Sequence, residues 1–255
     1  MGCDLLTTET CDAMLGGRLR LWQPATGYRA GVDPLLLAAS VPAVAGQSLL
    51  DLGCGVGAAG LAVMVRVPGV TVTGIEMQAR YADLARRNAA ENDLPLTVIT
   101  ADLAALPGDL RAQAFDHVIA NPPYFDRAAS VAASDTGRET AMGEGTPLAV
   151  WVDVAARRVR PGGHVTFIHR AERLPDLMAL LGARLGSLQV LPLLPRAGRA
   201  AQLCLIRGRK GGRAAFRLHA GVVLHDGDSH PGDHDHYTPA IRAVLKDAAA
   251  LAFPV

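Results

Sequence analysis

The chain has 255 residues, half of them apolar, and a net charge of +1. This length supports one large domain, and the near-neutral charge excludes a polycation that is basic over its whole surface. No apolar run reaches the roughly 18 residues of a membrane span. The four cysteines show no CxxC pairing. We therefore expect reduced thiols, a cytoplasmic location, no membrane association and no obligate protein partner.

Short apolar strands alternate with helical segments along most of the chain. Strands are predicted at residues 48–52, 70–76, 96–100, 115–120, 164–168, 188–194 and 201–207. Helices are predicted at 58–66, 79–92, 147–159, 171–185 and in the tail 237–251, with a turn at 161–163. This alternation is typical of a doubly wound, mostly parallel α/β sheet of the Rossmann-like kind, here with seven strands. The two late strands lie close in sequence, which predicts an antiparallel hairpin at the sheet edge.

A glycine-rich turn, DLGCGVG, follows the first strand and contains Asp51, Gly53, Gly55 and Gly57. In open α/β sheets, ligands bind beyond the carboxyl ends of the strands. Glycines allow the backbone to approach a ligand closely and to adopt unusual angles. The turn therefore predicts a ligand site at this edge of the sheet.

Two further acids follow the next strands. Glu76 ends the second strand, 25 residues after Asp51, and Asp102 follows the third. A carboxylate at position 76 is placed to accept both hydroxyls of a ribose, and one at position 102 to meet an adenine amino group. Together these acids predict an adenosine-containing ligand.

Two cofactors fit that description. Gly55, Gly57 and Gly60 satisfy the dinucleotide pattern GxGxxG, which is weak evidence when it stands alone. An acid directly before the glycines, Asp51, would repel a pyrophosphate but suits the ammonium group of S-adenosylmethionine. The turn resembles motif I of class I methyltransferases more closely than a nicotinamide fingerprint. A nicotinamide-dependent oxidoreductase is the alternative, and the motif described next would have no role in it.

The stretch VIANPPYFD ends the fourth strand with Asn121, Pro122, Pro123 and Tyr124. Proline donates no backbone hydrogen bond and pushes the preceding residue to extended geometry, so the turn is stiff. It resembles the NPPY motif of methyltransferases that alkylate planar amino groups. The Asn121 side-chain oxygen and the Pro122 carbonyl are predicted to bind the two hydrogens of such an amino group, and Tyr124 to stack on its flat ring.

Nearly the full length resembles the tRNA(Val) adenine-N(6) methyltransferase family. The resemblance rests on GGRLRLWQPATGYRAGVDPLLLAA near the start, DLGCGVG with GIEMQARYADLARRNAAEN, NPPYFD, and YTPAIRAVLKDAAAL in the tail. It implies S-adenosylmethionine as cofactor, a tRNA adenine as target, and packing of residues 29–33 beside the cofactor. The cofactor-binding residues that it implies are Asp33, Asp51, Gly53, Gly55, Gly57, Glu76, Met77, Asp102, Leu103 and Asn121. Residues 1–45 are expected to form an N-terminal extension on the cofactor side, and residues 46–255 the methyltransferase domain.

Two related enzymes use the same NPPY chemistry and stay open as alternatives. One is a protein-glutamine N(5) methyltransferase that acts on release factors, although that family usually carries an N-terminal helical domain. Only about 45 residues precede the first predicted strand here. The other methylates guanine N(2) in ribosomal RNA.

The stretch between Leu177 and His225 contains no acid and many arginines. It predicts a surface that binds a polyanion such as RNA, against the simpler interpretation of ordinary surface charge. The candidate RNA contacts are Arg196, Arg199, Arg209, Lys210 and Arg213, with Arg127 and Arg138 in the loop 126–145 as further candidates. The His- and Asp-rich stretch 225–236 matches no zinc spacing, and we expect no metal site there.

Overall fold

A computed structural model of the chain describes residues 8–124, 146–227 and 236–254. The strands are β1 (Glu9–Met14), β2 (Leu19–Pro24), β3 (Ser48–Leu52), β4 (Thr71–Glu76), β5 (Thr97–Thr100), β6 (Phe115–Ala120), β7 (Val159–Arg170), β8 (Gly186–Leu194), β9 (Leu203–Arg209), β10 (Arg217–Leu218) and β11 (Val222–Val223). The helices are α1 (Asp33–Ser40), α2 (Ala58–Arg66), α3 (Ala79–Glu91), α4 (Gly108–Ala112), α5 (Leu148–Arg158), α6 (Leu174–Gly182) and α7 (Pro239–Asp247).

One sheet organises these elements in the spatial order β5-β4-β3-β6-β7-β9-β8, and the two-residue strands β10 and β11 both pair with β8. Strands β3 to β7 are mutually parallel, whereas β9 is antiparallel to both of its neighbours. From β3 the chain proceeds to one edge through β4 and β5, and from β6 it proceeds to the other. The order therefore reverses between β3 and β6, and such a switch point opens a crevice at the carboxyl ends of the strands.

The Rossmann-like prediction is confirmed, with one correction at the hairpin. The predicted antiparallel strand, β9, lies one place inside the sheet and not at its edge. After β7 the chain crosses over through α6 and re-enters the sheet as β8. Strand β8 is parallel to β7, and one strand position separates the two. Strand β9 then fills the gap between them, because its hairpin with β8 folds back toward β7.

Both faces of the sheet are covered by apolar layers, which explains the nearly continuous apolar strands. On β3, the side chain of Leu49 packs into the layer formed with α1 and α2, while Leu50 packs into the layer with α5. Both side chains are fully buried. Because the two cores meet at the central strands, the sheet presents its carboxyl ends as a rigid rim.

The N-terminal residues add a β1–β2 hairpin and the helix α1 to this body. The Asn88 side chain of α3 accepts from the Trp22 amide at 2.7 Å and donates to the Trp22 carbonyl at 3.0 Å, much as a strand partner would. Helix α1 packs in one core with α2 and α7. The domain boundary at residue 45 stays a prediction, and these contacts hold the N-terminal segment against the cofactor-side helices.

Two local predictions differ from the structure. The predicted turn at 161–163 is a bulge inside β7, and a Cβ on Gly163 would lie 2.6 Å from the Asp116 carbonyl oxygen of β6. The predicted helix 171–185 begins as a short 3-10 turn, and its α-helical part starts at Leu174. Pro175 is the second residue of α6, where its missing N–H costs nothing. Within the described ranges, no helix is long and apolar enough to cross a membrane.

Candidate functional site

A cavity of about 490 Å³ opens at the carboxyl ends of β3, β4 and β6, beside the switch point. Its lining includes residues 28–34, Asp51, most of the loop 53–59, residues 75–78, Tyr81, Ala101, Leu103, the turn 121–124, Thr146, and Trp151 of α5. The motifs that were read separately along the sequence thus meet around one space.

The glycine loop shapes the floor of the cavity. Gly53 and Gly55 both have left-handed backbone conformations, with φ of 61° and 55°. A Cβ on Gly53 would lie 2.4 Å from the Trp151 ring, so a larger residue fits neither the backbone nor the space. Cys54, between them, is buried, and its amide donates to the Ile75 carbonyl at 2.8 Å. This bond ties the loop to the end of β4.

Two carboxylates stand at the ends of β3 and β4 and are held by backbone donors. Asp51 Oδ2 accepts from the Gly60 amide at 3.0 Å, and only 2% of Asp51 is exposed. Burial raises the pKa of Asp51 to about 7, and the nearby charge of Glu76 adds to the shift. Glu76 accepts from the Gly55 amide at 3.0 Å and from the Gln78 amide at 2.8 Å, one bond to each oxygen. Burial also raises the pKa of Glu76.

The turn after β6 presents an acceptor without a partner. Asn121 Nδ2 donates to the Tyr28 hydroxyl at 3.4 Å, whereas the Asn121 Oδ1 atom is buried and has no hydrogen-bond partner among the described residues. A buried polar atom of this kind is rare in a folded protein and is explained most simply by a ligand that donates to it. Pro122 is buried beside it and also lines the cavity.

Tyr124 closes the turn and is held from several sides. Its hydroxyl donates to Asp33 Oδ2 at 2.5 Å. Its ring lies 5.4 Å from the His169 ring, centroid to centroid, at an interplanar angle of 59°. Burial and the Asp33 charge raise the pKa of Tyr124, so the hydroxyl stays protonated and donates.

Eight of the ten residues predicted for the cofactor line this cavity, and so do Pro122 and Tyr124. Gly57 and Asp102 do not. Gly57 precedes α2 with a φ of 86°, and a Cβ there would press on Leu96 at 3.1 Å, so its small size serves helix packing. Asp102 is exposed and accepts from the Ala104 amide at 2.8 Å, which caps the short turn 103–105. Their contact with a cofactor stays a prediction.

Sequence reasoning missed two aromatic residues of the site. Tyr28 lies inside a quoted segment, but no spacing distinguishes it from its neighbours. Its hydroxyl reaches Asn121, and its carbonyl accepts from the Tyr81 hydroxyl at 3.2 Å. Trp151 lies on the buried face of α5, where the pattern predicts an ordinary core residue. The packing of its ring over the glycine loop is a tertiary contact that spacing does not encode.

Of the five basic residues predicted to contact RNA, two lie at one edge of the sheet and three at the opposite edge. Arg196 and Arg199 lie in the β8–β9 loop at the carboxyl edge, and the Ala171 amide donates to the Gln202 carbonyl of this loop at 2.8 Å. Arg209 and Lys210 lie at the other edge with Arg213 close behind. There Arg209 Nε donates to the Gly162 carbonyl at 3.0 Å, and Lys210 Nζ to the Ala156 carbonyl at 2.5 Å.

Some predicted features cannot be placed. Arg127 and Arg138 lie outside the described residues, and so do residues 228–235 of the His- and Asp-rich stretch. At the start of that stretch, His225 stacks on Tyr237 with ring centroids 4.5 Å apart.

Comparison with known proteins adds three findings. The methyltransferase small domain family matches residues 31–141. A tRNA1(Val) (adenine(37)-N6)-methyltransferase from Porphyromonas gingivalis is 31% identical over 194 residues, which is 69% of this chain and 74% of the relative. A release factor glutamine methyltransferase from Chlorobaculum tepidum is 28% identical, over 61% of this chain and 56% of the relative.

Among solved structures, a protein from Agrobacterium tumefaciens described as a predicted O-methyltransferase has a TM-score of 0.70 and 29% identity. The match covers 88% of this chain and all of that one. The likeness therefore extends over most of this chain.

Proposed function

We propose that this chain methylates N(6) of an adenine in tRNA. It belongs to the tRNA1(Val) (adenine(37)-N6)-methyltransferase family of class I S-adenosylmethionine-dependent methyltransferases. The observation that carries the proposal is the buried Asn121 Oδ1 atom, which has no partner among the described residues and borders the cavity. An amino group that donates a hydrogen bond is the partner that this acceptor requires.

The residues around the cavity fit the cofactor. S-adenosylmethionine supplies an electrophilic methyl group on a sulfonium sulfur. Backbone amides fix the Glu76 carboxylate at the cavity, where its oxygens can also accept from the ribose hydroxyls. Asp51 offers a buried carboxylate to the ammonium group, and Gly53 lets the amino-acid part approach the backbone. Met77, 52% exposed, presents an apolar surface beside Glu76 for the adenine ring.

At the target, this chain acts by positioning. The lone pair of an exocyclic amino group is delocalised into the ring, which makes the nitrogen a poor nucleophile. Asn121 Oδ1 and the Pro122 carbonyl would accept its two hydrogens and orient the lone pair for an in-line displacement. In that displacement the nitrogen–carbon bond would form as the sulfur–carbon bond breaks, S-adenosylhomocysteine would be the leaving group, and the methylated nitrogen would then release one proton. The bond from Asn121 Nδ2 to Tyr28 keeps the amide in the orientation that leaves Oδ1 for the target.

The carboxyl edge of the sheet supports RNA as the substrate. Arg170 ends β7 beside Tyr124, and the neighbouring β8–β9 loop carries Arg196 and Arg199 without any acid. A phosphate backbone that crosses these strand ends would bring one nucleotide to the turn 121–124. Arg209, Lys210 and Arg213 lie too far around the sheet to join that path, and we propose that they do not bind the same RNA segment. Action on tRNA supports a cytoplasmic location within the same proposal.

A glutamine side chain of a release factor presents the same planar amide to the same acceptors, and it is the second candidate. The test is a transfer assay with labelled S-adenosylmethionine, in which unmodified tRNA, ribosomal RNA and release factor are offered in parallel. We expect label in N(6)-methyladenosine from tRNA. Label on glutamine or on guanine N(2) would keep the cofactor and the turn but overturn the tRNA adenine proposed here as the target.

A further inference from the structure

The N-terminal segment that precedes β3 contacts both ends of the turn 121–124. The Tyr28 hydroxyl meets the Asn121 amide at 3.4 Å, and Asp33 accepts from the Tyr124 hydroxyl at 2.5 Å. These pairs join residues that are 93 and 91 positions apart in sequence. Because Pro122 and Pro123 stiffen the backbone between them, holding the two flanking side chains holds the whole target-binding face.

We propose that Asp33 is a positioning residue that sets the Tyr124 ring for the target base, and that it does not hold the cofactor. This inference rests on the proposed function, since it assigns a role within the same site. It differs from the sequence-based prediction, in which Asp33 belongs to the cofactor set.

The geometry shows why the hydroxyl bond matters for the ring. The last torsion of a tyrosine side chain is broad, so packing near its base fixes the plane poorly. The Asp33 bond holds the far end of Tyr124, and His169 lies against the ring at 5.4 Å. His169 itself is buried and its Nδ1 accepts from the Arg170 amide at 2.9 Å, so it is a fixed wall. The plane on which a base would stack is thereby defined.

Asp33 is well placed to accept such a bond as a carboxylate. It is the first residue of α1, where the helix dipole favours negative charge. Burial raises its pKa, whereas the Tyr124 bond and the Arg170 charge lower it. A bond to an ionised acceptor is shorter and stronger than a neutral one, in keeping with the 2.5 Å separation. Helix α1 packs in the hydrophobic core, so the position of Asp33 relative to the turn 121–124 is fixed.

The experiment is a double-mutant cycle of Asp33→Ala and Tyr124→Phe in the full chain. We expect each single change to lower kcat by roughly ten- to a hundredfold on the substrate that accepts label in the transfer assay, because each removes the same charge-assisted bond. The double variant should be no slower than the slower single variant. Calorimetric affinity for S-adenosylhomocysteine should stay within about twofold of the wild type in all three, since the bond does not touch the cofactor.

Two further variants make the cycle decisive. Asp33→Asn keeps an oxygen acceptor of the same shape, and we expect it to recover most of the activity lost in Asp33→Ala. Glu9→Gln removes the 2.8 Å ion pair between β1 and Arg87, on the same N-terminal segment but away from the cavity. It should leave kcat unchanged, and a loss there would mean that any weakening of the segment slows the enzyme.

Three outcomes would overturn the inference while leaving the proposed function intact: additive effects in the cycle, a loss of cofactor affinity that accounts for the loss of rate, or full activity in both single variants. If Asp33→Ala does not fold, Asp33→Ser, whose shorter side chain ends before the Tyr124 hydroxyl, replaces it in the cycle. A wild-type protein that methylates none of the three substrates would instead contradict the proposed function, and this inference with it.

Discussion

The two edges of the sheet both carry buried polar groups, but they use them differently. At the amino edge, Asp116 accepts from the Ser48 amide at 3.0 Å and from its hydroxyl at 2.9 Å, and it pairs with Arg160 at 2.5 Å. His117 pairs with Gln47 at 2.8 Å. At the carboxyl edge, the corresponding groups face a cavity, and the acceptor of Asn121 has no partner among the described residues.

A shifted pKa does not separate the two edges. Burial and the neighbouring His164 lower the pKa of His117 to about 4, and His164 itself falls to about 4 through burial and nearby arginines. Burial raises the pKa of Asp51 to about 7 at the other edge. His117 Nδ1, like Asn121 Oδ1, is buried without a partner among the described residues, so what distinguishes the site is that the Asn121 acceptor borders a cavity. The amino edge shows that a perturbed group can be purely structural.

The largest expected effect is on Asn121. Asn121→Ala should lower kcat by roughly a hundredfold to a thousandfold, because it removes a preorganised polar contact to the reacting amino group. Affinity for S-adenosylhomocysteine should change by less than about twofold. Steady-state kinetics and calorimetry measure the two quantities. The matched change at the amino edge, His117→Gln, should lower stability while leaving kcat close to wild type, and equal losses of rate would erase the contrast between the edges.

The glycine loop gives the next effect, on stability. Gly53→Ala combines a left-handed backbone with a Cβ 2.4 Å from the Trp151 ring. We expect the free energy of unfolding to fall by about 2–5 kcal/mol, the sum of about 1–2 for the backbone and about 1–3 for overpacking. Gly46 has a φ of 84°, and no atom of the described residues lies within 4 Å of a Cβ placed there, so Gly46→Ala should lose the backbone part alone. Urea unfolding compares them, and equal losses would remove the packing argument.

The basic residues give a third comparison between the edges. Replacing Arg196 and Arg199 by Ala should weaken tRNA binding by about tenfold at low salt and flatten its salt dependence, because two phosphate contacts would be lost. Replacing Arg209, Lys210 and Arg213 should change tRNA binding less, since they follow the end of β9 at the edge of the sheet opposite the turn 121–124. Filter binding across a salt series measures both. Reversed effects would place the RNA on the amino edge.

The smallest effect is a pH dependence of cofactor binding. Ionised Asp51 is proposed to hold the ammonium group, and its pKa is raised to about 7. Affinity for S-adenosylhomocysteine should therefore weaken by about fivefold from pH 7 to pH 6, as the carboxyl takes up a proton. Asp51→Asn should bind more weakly and lose this dependence. Glu76, whose pKa is also raised, would be responsible if the dependence persisted.

The same group makes a signed prediction for stability. In the unliganded protein, the pKa of Asp51 is higher when folded than when unfolded. Its contribution to stability is thus fully present below about pH 4 and is lost as the pH rises through about 7. Asp51→Asn should remove this loss, so the free energy of unfolding of the variant minus that of the wild type should increase with pH across this window. If the free energy of unfolding changes with pH by the same amount in the wild type and in Asp51→Asn, the assignment to Asp51 is wrong.

The sequence alone predicted which edge of the sheet carries the cavity and most of the polar residues that line it. Asp51, Glu76 and Asn121 each follow an apolar strand, and parallel strands in an open sheet bring such ends to one rim. The order of elements also predicted the fold, because alternating strands and helices have few ways to pack. These features depend on local chain direction, which spacing and residue type encode.

Only the tertiary structure decided which strands and segments are neighbours. In the tertiary structure, β9 lies inside the sheet, the basic residues lie at two different edges, and Tyr124 is hydrogen-bonded to Asp33. Asp33 and Tyr124 are 91 positions apart, and no spacing rule relates them. Long-range pairing follows from how whole layers pack together, and the side chains that meet across those layers are settled only when the core has closed.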